Sequence, residues 1–419
     1  MILEKIINSN YFQYLVLAVA PLLILGPFFP DLIISLSSIF FLIFVFKKKY
    51  FYLFHNKVFF FFIIFCLICI LSSILSKNII FSFYSSLFYF RIGIFAFLIK
   101  YLLDKNPELN KKFYYVLLVT FLSLIVDGYI QFFFGKNIFQ YSPGYGRISS
   151  FFGEELVLGS YLSRLFPLFL ALLILKSNRK YEYIFCFIIL ILGDVLIFIS
   201  GERTSFFFLN LSTLFIILFI KKFKKIRIIS FLLSAIIIFI IINYSNDIRN
   251  RMINTTFEQL NISQDKNTHN KDFLGNYKSL YQIAWRMFLD KPVLGHGPKM
   301  FRIKCKLKQY NPDYDDVNNK NCTTHPHNFY LQILAEVGLL GFFFLLVANF
   351  YFFKLLFIHI KSYLLKKKSY LTDYQICLLA SVLITIWPLS PNGNFFNNWL
   401  MIVYSLSFGF LLHSFKRQL

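Results

Sequence analysis

The strongest constraint on this chain is a series of about twelve apolar runs, most of them long enough to cross a membrane as helices. Inside lipid such a run satisfies its backbone hydrogen bonds by forming a helix. The composition agrees, since 58% of the residues are hydrophobic and the mean hydropathy is +0.63. We therefore predict an all-α integral membrane protein. The runs cover approximately residues 11–29, 32–46, 58–76, 79–99, 113–134, 156–175, 182–200, 204–220, 226–243, 329–356, 373–389 and 396–413.

The basic residues between the runs predict how the chain is oriented. The formal net charge is +23, which alone would be compatible with nucleic-acid binding. The basic clusters, however, lie in short linkers, and each follows an even-numbered run. The positive-inside rule therefore places these linkers and both termini in the cytoplasm of a multi-pass membrane protein, and no nucleic-acid partner is expected. The clusters comprise Lys47, Lys48, Lys49, Lys105, Lys111, Lys112, Lys176, Arg179, Lys180, Lys221, Lys222, Lys224, Lys225, Arg227, Lys366, Lys367, Lys368, Lys416 and Arg417.

The odd-numbered linkers are then extracytoplasmic, and two of them are more than tight turns. One covers about 135–155, and a long one covers 244–328 between the ninth and tenth runs. This predicts nine spans in residues 1–243, a loop in 244–328 that is periplasmic if the protein lies in the inner membrane of a Gram-negative cell, and three spans in 329–419. Together they would form one integral membrane domain.

The long loop is expected to be folded. Apolar residues at helical spacing predict an amphipathic lid helix over about 277–291, which would cover the membrane surface. Cys305 and Cys322 lie in the same loop, and an oxidising compartment permits a disulfide between them. It would close a loop of roughly 18 residues and contribute about 3 kcal/mol; two free thiols are the alternative. The apolar positions of the helix are Leu280, Ile283, Ala284, Met287 and Phe288.

The motif HPHN, residues 325–328, leads directly into the tenth apolar run; we call it the histidine collar. The helix that follows would begin on the extracytoplasmic side, and a helix N-terminus favours anions. An imidazole there could take a proton from a hydroxyl group, which makes His325 and His327 candidates for chemistry. Two alternatives stay open. One is an ordinary helix start capped by Thr324 or Asn328, and the other is a metal site, although no carboxylate or thiol partner stands at ligand spacing.

Arg203, in the motif SGERTS, opens the eighth run from the same side and should lie at a depth similar to that of His327. A guanidinium group stays charged and binds phosphate oxygens in a bidentate manner, so an anion-binding role is predicted. An ordinary interfacial arginine is the alternative. Arg147 opens the sixth run and has the same potential role, unless Glu154 or Glu155 pairs with it.

The remaining charged residues are weaker candidates. Lys278 and Arg286, on the predicted lid helix, could reach the membrane surface or face water. Glu336 lies about two turns into the tenth run and could brace the histidine collar. Charges within the runs should pair or face the bundle, because lipid exposure costs several kcal/mol; they keep a transporter possible. These are Arg91, Asp127, Arg164 and Asp194.

The chain resembles the O-antigen ligase and polymerase superfamily of bacterial membrane glycosyltransferases. HPHNFYLQILAEVGLLG is similar to the signature of that superfamily, and DKPVLGHGPKMF in the same loop adds specificity. The resemblance extends over most of the chain, including the number of spans and the SGERT turn. It implies transfer of a glycan from undecaprenyl diphosphate to a sugar hydroxyl at the periplasmic membrane face, in O-antigen or exopolysaccharide assembly.

The resemblance also implies roles for individual residues. Arg203 matches the family's diphosphate-binding arginine and His327 its catalytic histidine. The chain departs from the pattern where ligases often carry a second arginine, because Tyr277 and Lys278 stand there instead. The implied mechanism is transfer with inversion, without a metal or cofactor. The further candidates for diphosphate or glycan binding are Arg147, Lys278, Arg286 and His325, and Cys305, Cys322 and Glu336 are expected to be structural.

Two alternatives concern the reaction itself. A polymerase would use a second lipid-linked glycan as the acceptor, whereas a ligase would use lipid A-core. The segments FRIKC…CTTHPHN and PNGNFFNNW favour the polymerase. From a different class of protein, a flippase or transporter for lipid-linked oligosaccharides would place its key charges in mid-membrane, whereas these motifs lie at the outer boundary.

Overall fold

The structure, a computed structural model, describes residues 2–142, 144, 146–176, 180–259, 277–312, 314, 322–365 and 369–415. These residues form helices and connecting turns, without a β-strand. Arg179, Lys366, Lys367, Lys368, Lys416 and Arg417 lie outside the described residues. The helices are α1 (Ile2–Ile7), α2 (Asn10–Leu22), α3 (Phe28–Lys48), α4 (Lys57–Ile74), α5 (Ile79–Ser86), α6 (Phe90–Lys105), α7 (Leu109–Phe134), α8 (Leu158–Lys176), α9 (Lys180–Ile199), α10 (Arg203–Phe219), α11 (Lys224–Tyr244), α12 (Asn246–Arg249), α13 (Thr255–Gln259), α14 (Tyr277–Asp290), α15 (Phe301–Lys304), α16 (Phe329–Leu364), α17 (Asp373–Ile386) and α18 (Asn398–Ser414).

The predicted all-α membrane fold is confirmed. In the described part of the chain, seven helical segments are long and apolar enough to cross a membrane, and four further apolar helices are shorter. The number twelve stays a prediction. The seven segments are Phe28–Lys48, Lys57–Ile74, Ile79–Lys105, Leu109–Phe134, Leu158–Lys176, Lys224–Tyr244 and Phe329–Ser362; the shorter ones are Asn10–Leu25, Tyr183–Ile199, Arg203–Phe219 and Asp373–Ile386.

The helices differ in how much of their surface the protein itself covers. Of the apolar part of α8, 83% is buried, and this helix packs against α7, α9, α10, α17 and α18. For α11 the value is only 22%, and Leu232, Ile236 and Phe239 are exposed on it. Lipid tails are as apolar as these side chains, so their exposure carries no penalty in a bilayer. We conclude that α8 lies at the centre of the bundle and α11 at its lipid-facing edge.

Helix α16 is broken near its beginning, which corrects the prediction of one uninterrupted run over 329–356. Gly338 has φ 72° and ψ −165°, outside the helical region. A side chain is excluded there, because a Cβ atom would lie 2.3 Å from the carbonyl oxygen of Val293. Glycine therefore allows both the break and the close approach of the loop. Periodicity could not reveal this, since the sequence is apolar on both sides of Gly338.

The loop segment from Pro292 to Gly297 fills the break in α16. A helix interruption leaves backbone groups without their i→i−4 partners, and buried groups of this kind need new ones. The loop provides them: the N–H of His296 donates to Ala335 O at 3.1 Å, that of Gly297 to Glu336 O at 2.8 Å, and that of Leu339 to Pro292 O at 2.8 Å. The loop is thus joined to α16 by main-chain hydrogen bonds.

The amphipathic helix predicted over about 277–291 is present as α14, Tyr277–Asp290, and its buried face includes four of the five predicted apolar positions. Its role as a lid stays a prediction. This face, together with Phe301 and Tyr310, forms a small core against Ala335 of α16. Cys305 and Cys322 form the expected disulfide beside this core, with their Cα atoms 5.3 Å apart. The lid is therefore packed against the same end of α16 that carries the histidine collar.

Charges inside the bundle are paired or hydrogen-bonded, as predicted. Arg227 is a correction: the sequence groups it with a cytoplasmic linker, but it is 1% exposed within α11. Burial is possible because Asp194 of α9 provides a counter-charge. The distances of these contacts are 2.7 Å for Arg227 Nη1 to Asp194 Oδ2, 2.7 Å for Arg91 Nη2 to Asp31 Oδ1, 2.7 Å for Ser150 Oγ to Asp127 Oδ2 and 3.2 Å for Arg164 Nη2 to Asn392 Oδ1.

Candidate active site

The turn between α9 and α10 brings arginines from distant parts of the chain together. Gly201 has φ +71°, and a Cβ atom there would lie 2.9 Å from Arg147 Cγ and 3.5 Å from Arg251 Cγ. The aliphatic parts of these two side chains therefore pack across the bare backbone of the turn. In addition, Arg251 Nε donates to the carbonyl oxygen of Gly201 at 3.3 Å. Arg203, the first residue of α10, lies within electrostatic range of both other arginines.

Glu202 is the carboxylate beside this arginine cluster, which consists of Arg147, Arg203 and Arg251. Its Oε1 atom lies 4.0 Å from Arg147 Nη2 and also accepts the N–H of Gly159 at 2.7 Å, at the start of α8. Ser205 Oγ donates to Oε2 at 3.0 Å. Burial raises the pKa of Glu202, and Arg147 lowers it. Glu202 is the one carboxylate among the described residues that is paired with this cluster of three guanidinium groups, so the described part of the turn carries excess positive charge.

Arg203 is the member of the cluster best placed to bind a ligand. It is half-buried, and among the described residues no side chain or carbonyl group forms a hydrogen bond or ion pair with it. It also stands in the first turn of α10, where free N–H groups favour an anion. Arg147, by contrast, already donates to Leu156 O at 2.8 Å, and burial lowers its pKa.

The two histidines of the collar differ in their surroundings. His325 is buried, and its Nε2 atom lies 3.1 Å from Asn392 O, while Nδ1 lies 2.9 Å from Thr324 Oγ1. A carbonyl only accepts, so Nε2 must carry the proton and Nδ1 must accept from the hydroxyl. Burial lowers the pKa of His325 to about 3, with His327 adding to the shift. His325 is therefore a neutral residue with both ring nitrogens engaged.

His327 is half-buried and holds an unusual backbone conformation, with φ 57°. Left-handed backbone costs a non-glycine residue about 1–3 kcal/mol and is often found at functional sites. The conformation is maintained by Asn392, whose N–H donates to His327 O at 2.8 Å. Burial lowers the pKa of His327, and the Asn392 carbonyl opposes that shift. A neutral imidazole at pH 7 is the form that accepts a proton.

Tyr277 connects the histidine collar with the arginine cluster. Its ring meets the His327 ring edge to face, with the centroids 5.5 Å apart. Its phenol also lies within electrostatic range of Arg203. The residue that replaces the expected second arginine is thus part of the same site. Lys278 stands next to it in the first turn of α14 and is half-buried.

Two other predicted residues have structural contacts elsewhere. Arg286 is exposed near the other end of α14, and its Nη1 atom donates to Tyr310 O at 3.0 Å. Glu336 is fully buried; it accepts from Phe301 N at 2.9 Å and from Gln332 Nε2 at 3.0 Å. Glu336 therefore holds the loop segment after Gly297 rather than contacting the histidines directly. Of the predicted partners for Arg147, Glu154 and Glu155 are exposed, and Glu202 takes their place.

The sequence reasoning missed Arg251, Glu202 and Asn392. Arg251 follows the ninth run in the long outer loop, which carries many other basic residues, so charge placement alone does not single it out. Glu202 stands directly before Arg203, and Asn392 lies in the PNGNFFNNW linker, which the sequence connected only with the choice between polymerase and ligase. In the described part of the chain, no cluster of three or more His, Cys, Asp or Glu residues could hold a metal ion.

Residues 184–346 match the model of a known protein family. The family is O-antigen ligase. The match confirms the predicted resemblance to the O-antigen ligase and polymerase superfamily and indicates an activity of that type. Together with the apolar helices, it indicates a multi-pass protein of the bacterial inner membrane. No curated protein matches the chain at a significant level.

The O-antigen ligase match covers less than half of the chain but most of the candidate site. Arg203, Arg251, Tyr277 and His327 fall within it. Arg147 lies before the matched segment. The linker that carries Asn392 lies after it. Residues before and after the matched segment in the sequence therefore complete the site.

Proposed function

We propose that the protein transfers a glycan from undecaprenyl diphosphate to a sugar hydroxyl at the periplasmic face of the membrane. Arg147, Arg203 and Arg251 would bind the diphosphate, and His327 would act as the general base. The observation that carries this proposal is the convergence of three guanidinium groups on the Gly201 turn, with Glu202 as the neighbouring carboxylate. Tyr277 connects this cluster with His327.

The charge of the cluster suits a diphosphate leaving group. When the bond between the anomeric carbon and the diphosphate oxygen breaks, both electrons stay with that oxygen and negative charge develops on the diphosphate. Guanidinium groups already fixed at that place stabilise the charge without reorganisation, which is the main source of electrostatic catalysis. Arg203, with no partner among the described residues, would form the closest contacts.

His327 would complete the transfer on the acceptor side. Its neutral ring would take the proton of the acceptor hydroxyl while the hydroxyl oxygen forms the new bond to the anomeric carbon. Attack from the side opposite the leaving diphosphate inverts the configuration at that carbon. The lid helix α14 would hold both lipid-linked reactants together, because Tyr277 at its start contacts His327.

We favour a polymerase over a ligase, because the disulfide-linked FRIKC…CTTHPHN segment resembles polymerase-type members. The disulfide itself connects Cys305 with Cys322, three residues before the collar. A flippase is less well supported. Its coupling charges should be available within the bundle, yet Arg227 is bound to Asp194 there.

The proposal is tested by incubating the purified full-length protein with radiolabelled undecaprenyl-diphosphate-linked repeat units, with and without lipid A-core. Products are separated by chain length, and released undecaprenyl diphosphate is measured in parallel. We expect chain extension without lipid A-core, and a loss of at least about 100-fold for Arg203→Ala, since a preorganised donor contributes this much to charge stabilisation. Arg251→Ala should show a smaller loss of chain extension, because Arg251 Nε already donates to Gly201 O.

Arg249→Gln is the matched control for Arg251→Ala. Arg249 lies two residues away, and its Nε donates to Ile242 O at 3.0 Å, away from the Gly201 turn. We expect it to extend chains at the wild-type rate. Undiminished extension by Arg203→Ala would refute the proposed role of the cluster. Extension only in the presence of lipid A-core would identify a ligase instead.

A further inference from the structure

A cation-lined cavity, separate from the arginine cluster, is bordered by the α5–α6 junction and the start of α18. Its volume is about 80 Å³, which is enough for several water molecules or one phosphate group. Lys299 of the long loop and Arg91 of α6 both line it. Ser85, Tyr84 and Asn398 add hydroxyl and amide groups, so the walls are rich in hydrogen-bonding groups.

The loop is built so that Lys299 reaches this cavity. Gly297, with φ +105°, packs so closely against the start of α5 that a Cβ atom would lie 2.5 Å from Ser82 Oγ. Two residues later Lys299 takes a left-handed conformation, φ 62°, which is unfavourable for a lysine. Phe301 N then binds Glu336 Oε1 at 2.9 Å and fixes the chain again. The strained residue is therefore held between two anchored points.

The two cations of the cavity differ in their charge balance. Arg91 is neutralised, since its Nε and Nη2 atoms donate to Asp31 Oδ1 at 3.0 and 2.7 Å. The ammonium group of Lys299 has no hydrogen bond or ion pair with the described residues, although the backbone of Lys299 hydrogen-bonds Glu336. Burial and the nearby Arg302 lower the pKa of its ammonium group, whereas the more weakly coupled Glu336 raises it. An anion bound in the cavity would remove this imbalance.

One linker separates the cavity from the histidine collar. Asn392 of this linker contacts both histidines of the collar, and Phe396 of the same linker lines the cavity. Four residues of chain span at most about 14 Å, so the two places are neighbours. We propose that the Lys299 cavity binds a phosphate group of the lipid-linked acceptor.

This inference rests on the proposed function and extends it. Transfer between two lipid-linked glycans involves two anionic head groups with different fates. The donor's diphosphate becomes the leaving group and needs the arginine cluster, whereas the acceptor keeps its phosphates throughout the reaction. A separate cation site would hold the acceptor without stabilising the wrong leaving group. Arg91, held by Asp31, would orient the site while Lys299 provides the uncompensated charge.

The first test measures binding without requiring catalysis. The full-length protein in detergent is treated with acetic anhydride, and acetylation of Lys299 is followed by mass spectrometry, with exposed Lys306 as the internal control. Undecaprenyl phosphate should slow acetylation of Lys299 at least about 5-fold and leave Lys306 unchanged. Arg203→Ala should keep this protection, because it alters the other site. Absence of protection, or equal protection by inorganic phosphate at the same concentration, would overturn the assignment to a lipid.

The second test separates acceptor from donor in the transfer reaction. With the donor fixed, Lys299→Gln should raise the acceptor KM about 10-fold and leave the donor KM and kcat nearly unchanged, and Lys299→Arg should restore most of the affinity. Lys306→Gln serves as the matched surface control. An unchanged acceptor KM would refute the inference while leaving the proposed function intact. If no transfer were detectable in the wild type, the acetylation result would still decide whether a lipid phosphate binds.

Discussion

The interior of the bundle and the arginine cluster use the same side chain in opposite ways. In the interior, Arg227 is 1% exposed, and both of its terminal nitrogens are bound to Asp194, at 2.7 and 3.0 Å. At the Gly201 turn, Arg203 is half-buried without such a partner in the described part of the chain. A desolvated charge is tolerated only when compensated. The comparison indicates that Arg227 stabilises the fold and that Arg203 is available to bind a ligand.

The two collar histidines repeat this contrast over a distance of two residues. His325 has both ring nitrogens engaged, whereas the ring of His327 packs edge to face against Tyr277. Their ring centroids are only 4.2 Å apart. Proximity in the sequence therefore says little about role, and the partners of each ring distinguish them.

The largest expected effect concerns His327. Replacing it with alanine should lower the rate of glycan transfer by about 10²–10⁴-fold, because a general base contributes this much. His325→Ala should instead lower the thermal unfolding temperature, since it removes a buried ring and leaves the Asn392 carbonyl and the Thr324 hydroxyl without their partner. Transfer assays and thermal unfolding of both variants give the comparison. Greater loss of activity per folded molecule in His325→Ala would reverse the assigned roles.

The next effect concerns the free energy of unfolding. Arg227→Met leaves Asp194 as an uncompensated buried charge and should destabilise the protein by about 3–5 kcal/mol. Adding Asp194→Asn in the same chain should recover much of that loss. Arg203→Met leaves no described carboxylate without a partner, so it should change the free energy of unfolding by less than about 1 kcal/mol. Unfolding in mixed micelles of increasing denaturing-detergent content measures all three, and equal destabilisation by the two arginine variants would break the comparison.

A third effect is a dependence of stability on pH. Burial lowers the pKa of His325 to about 3 and that of His296 to about 4, from an ordinary value of 6.5. Below pH 6.5 the unfolded chain therefore binds protons that the folded chain does not. Stability is fully present above pH 6.5 and falls as the pH decreases toward 4, by at most about 1.4 kcal/mol per pH unit for each histidine.

Unfolding temperatures between pH 7 and pH 5 measure this dependence. His296→Gln should flatten the pH profile while lowering stability at pH 7, because His296 Nε2 interacts with Met287 O at 3.0 Å. His55→Gln is the control, since His55 is exposed. A profile that stays as steep in His296→Gln as in the wild type would exclude His296 as a source of the acid sensitivity.

Much of the architecture follows from local patterns. The lid helix was predicted over about 277–291 and spans Tyr277–Asp290, because one apolar face at helical spacing must be buried. The Cys305–Cys322 disulfide could be predicted because two cysteines lie in the same outer loop. Pairing of interior charges follows from the energetic penalty of exposing them to lipid.

The parts that could not be predicted depend on where distant segments meet. The break at Gly338 lies in a run that is apolar on both sides, and it persists because the Pro292–Gly297 segment bonds the released groups. Arg251 joins Arg147 only because both pack on Gly201. Neither meeting leaves a periodic signal in the chain.

By itself, the sequence determined that the chain is a helical membrane protein and that Arg203 and His327 are its leading candidates for chemistry. Hydrophobic run length and charge placement act locally, so they can be read without coordinates. Only the tertiary structure decided which charges are compensated. Compensation depends on contacts between different helices, such as α9 with α11, which bring Asp194 to Arg227. Among the described residues, no such contact provides a partner for the side chains of Arg203 and Lys299.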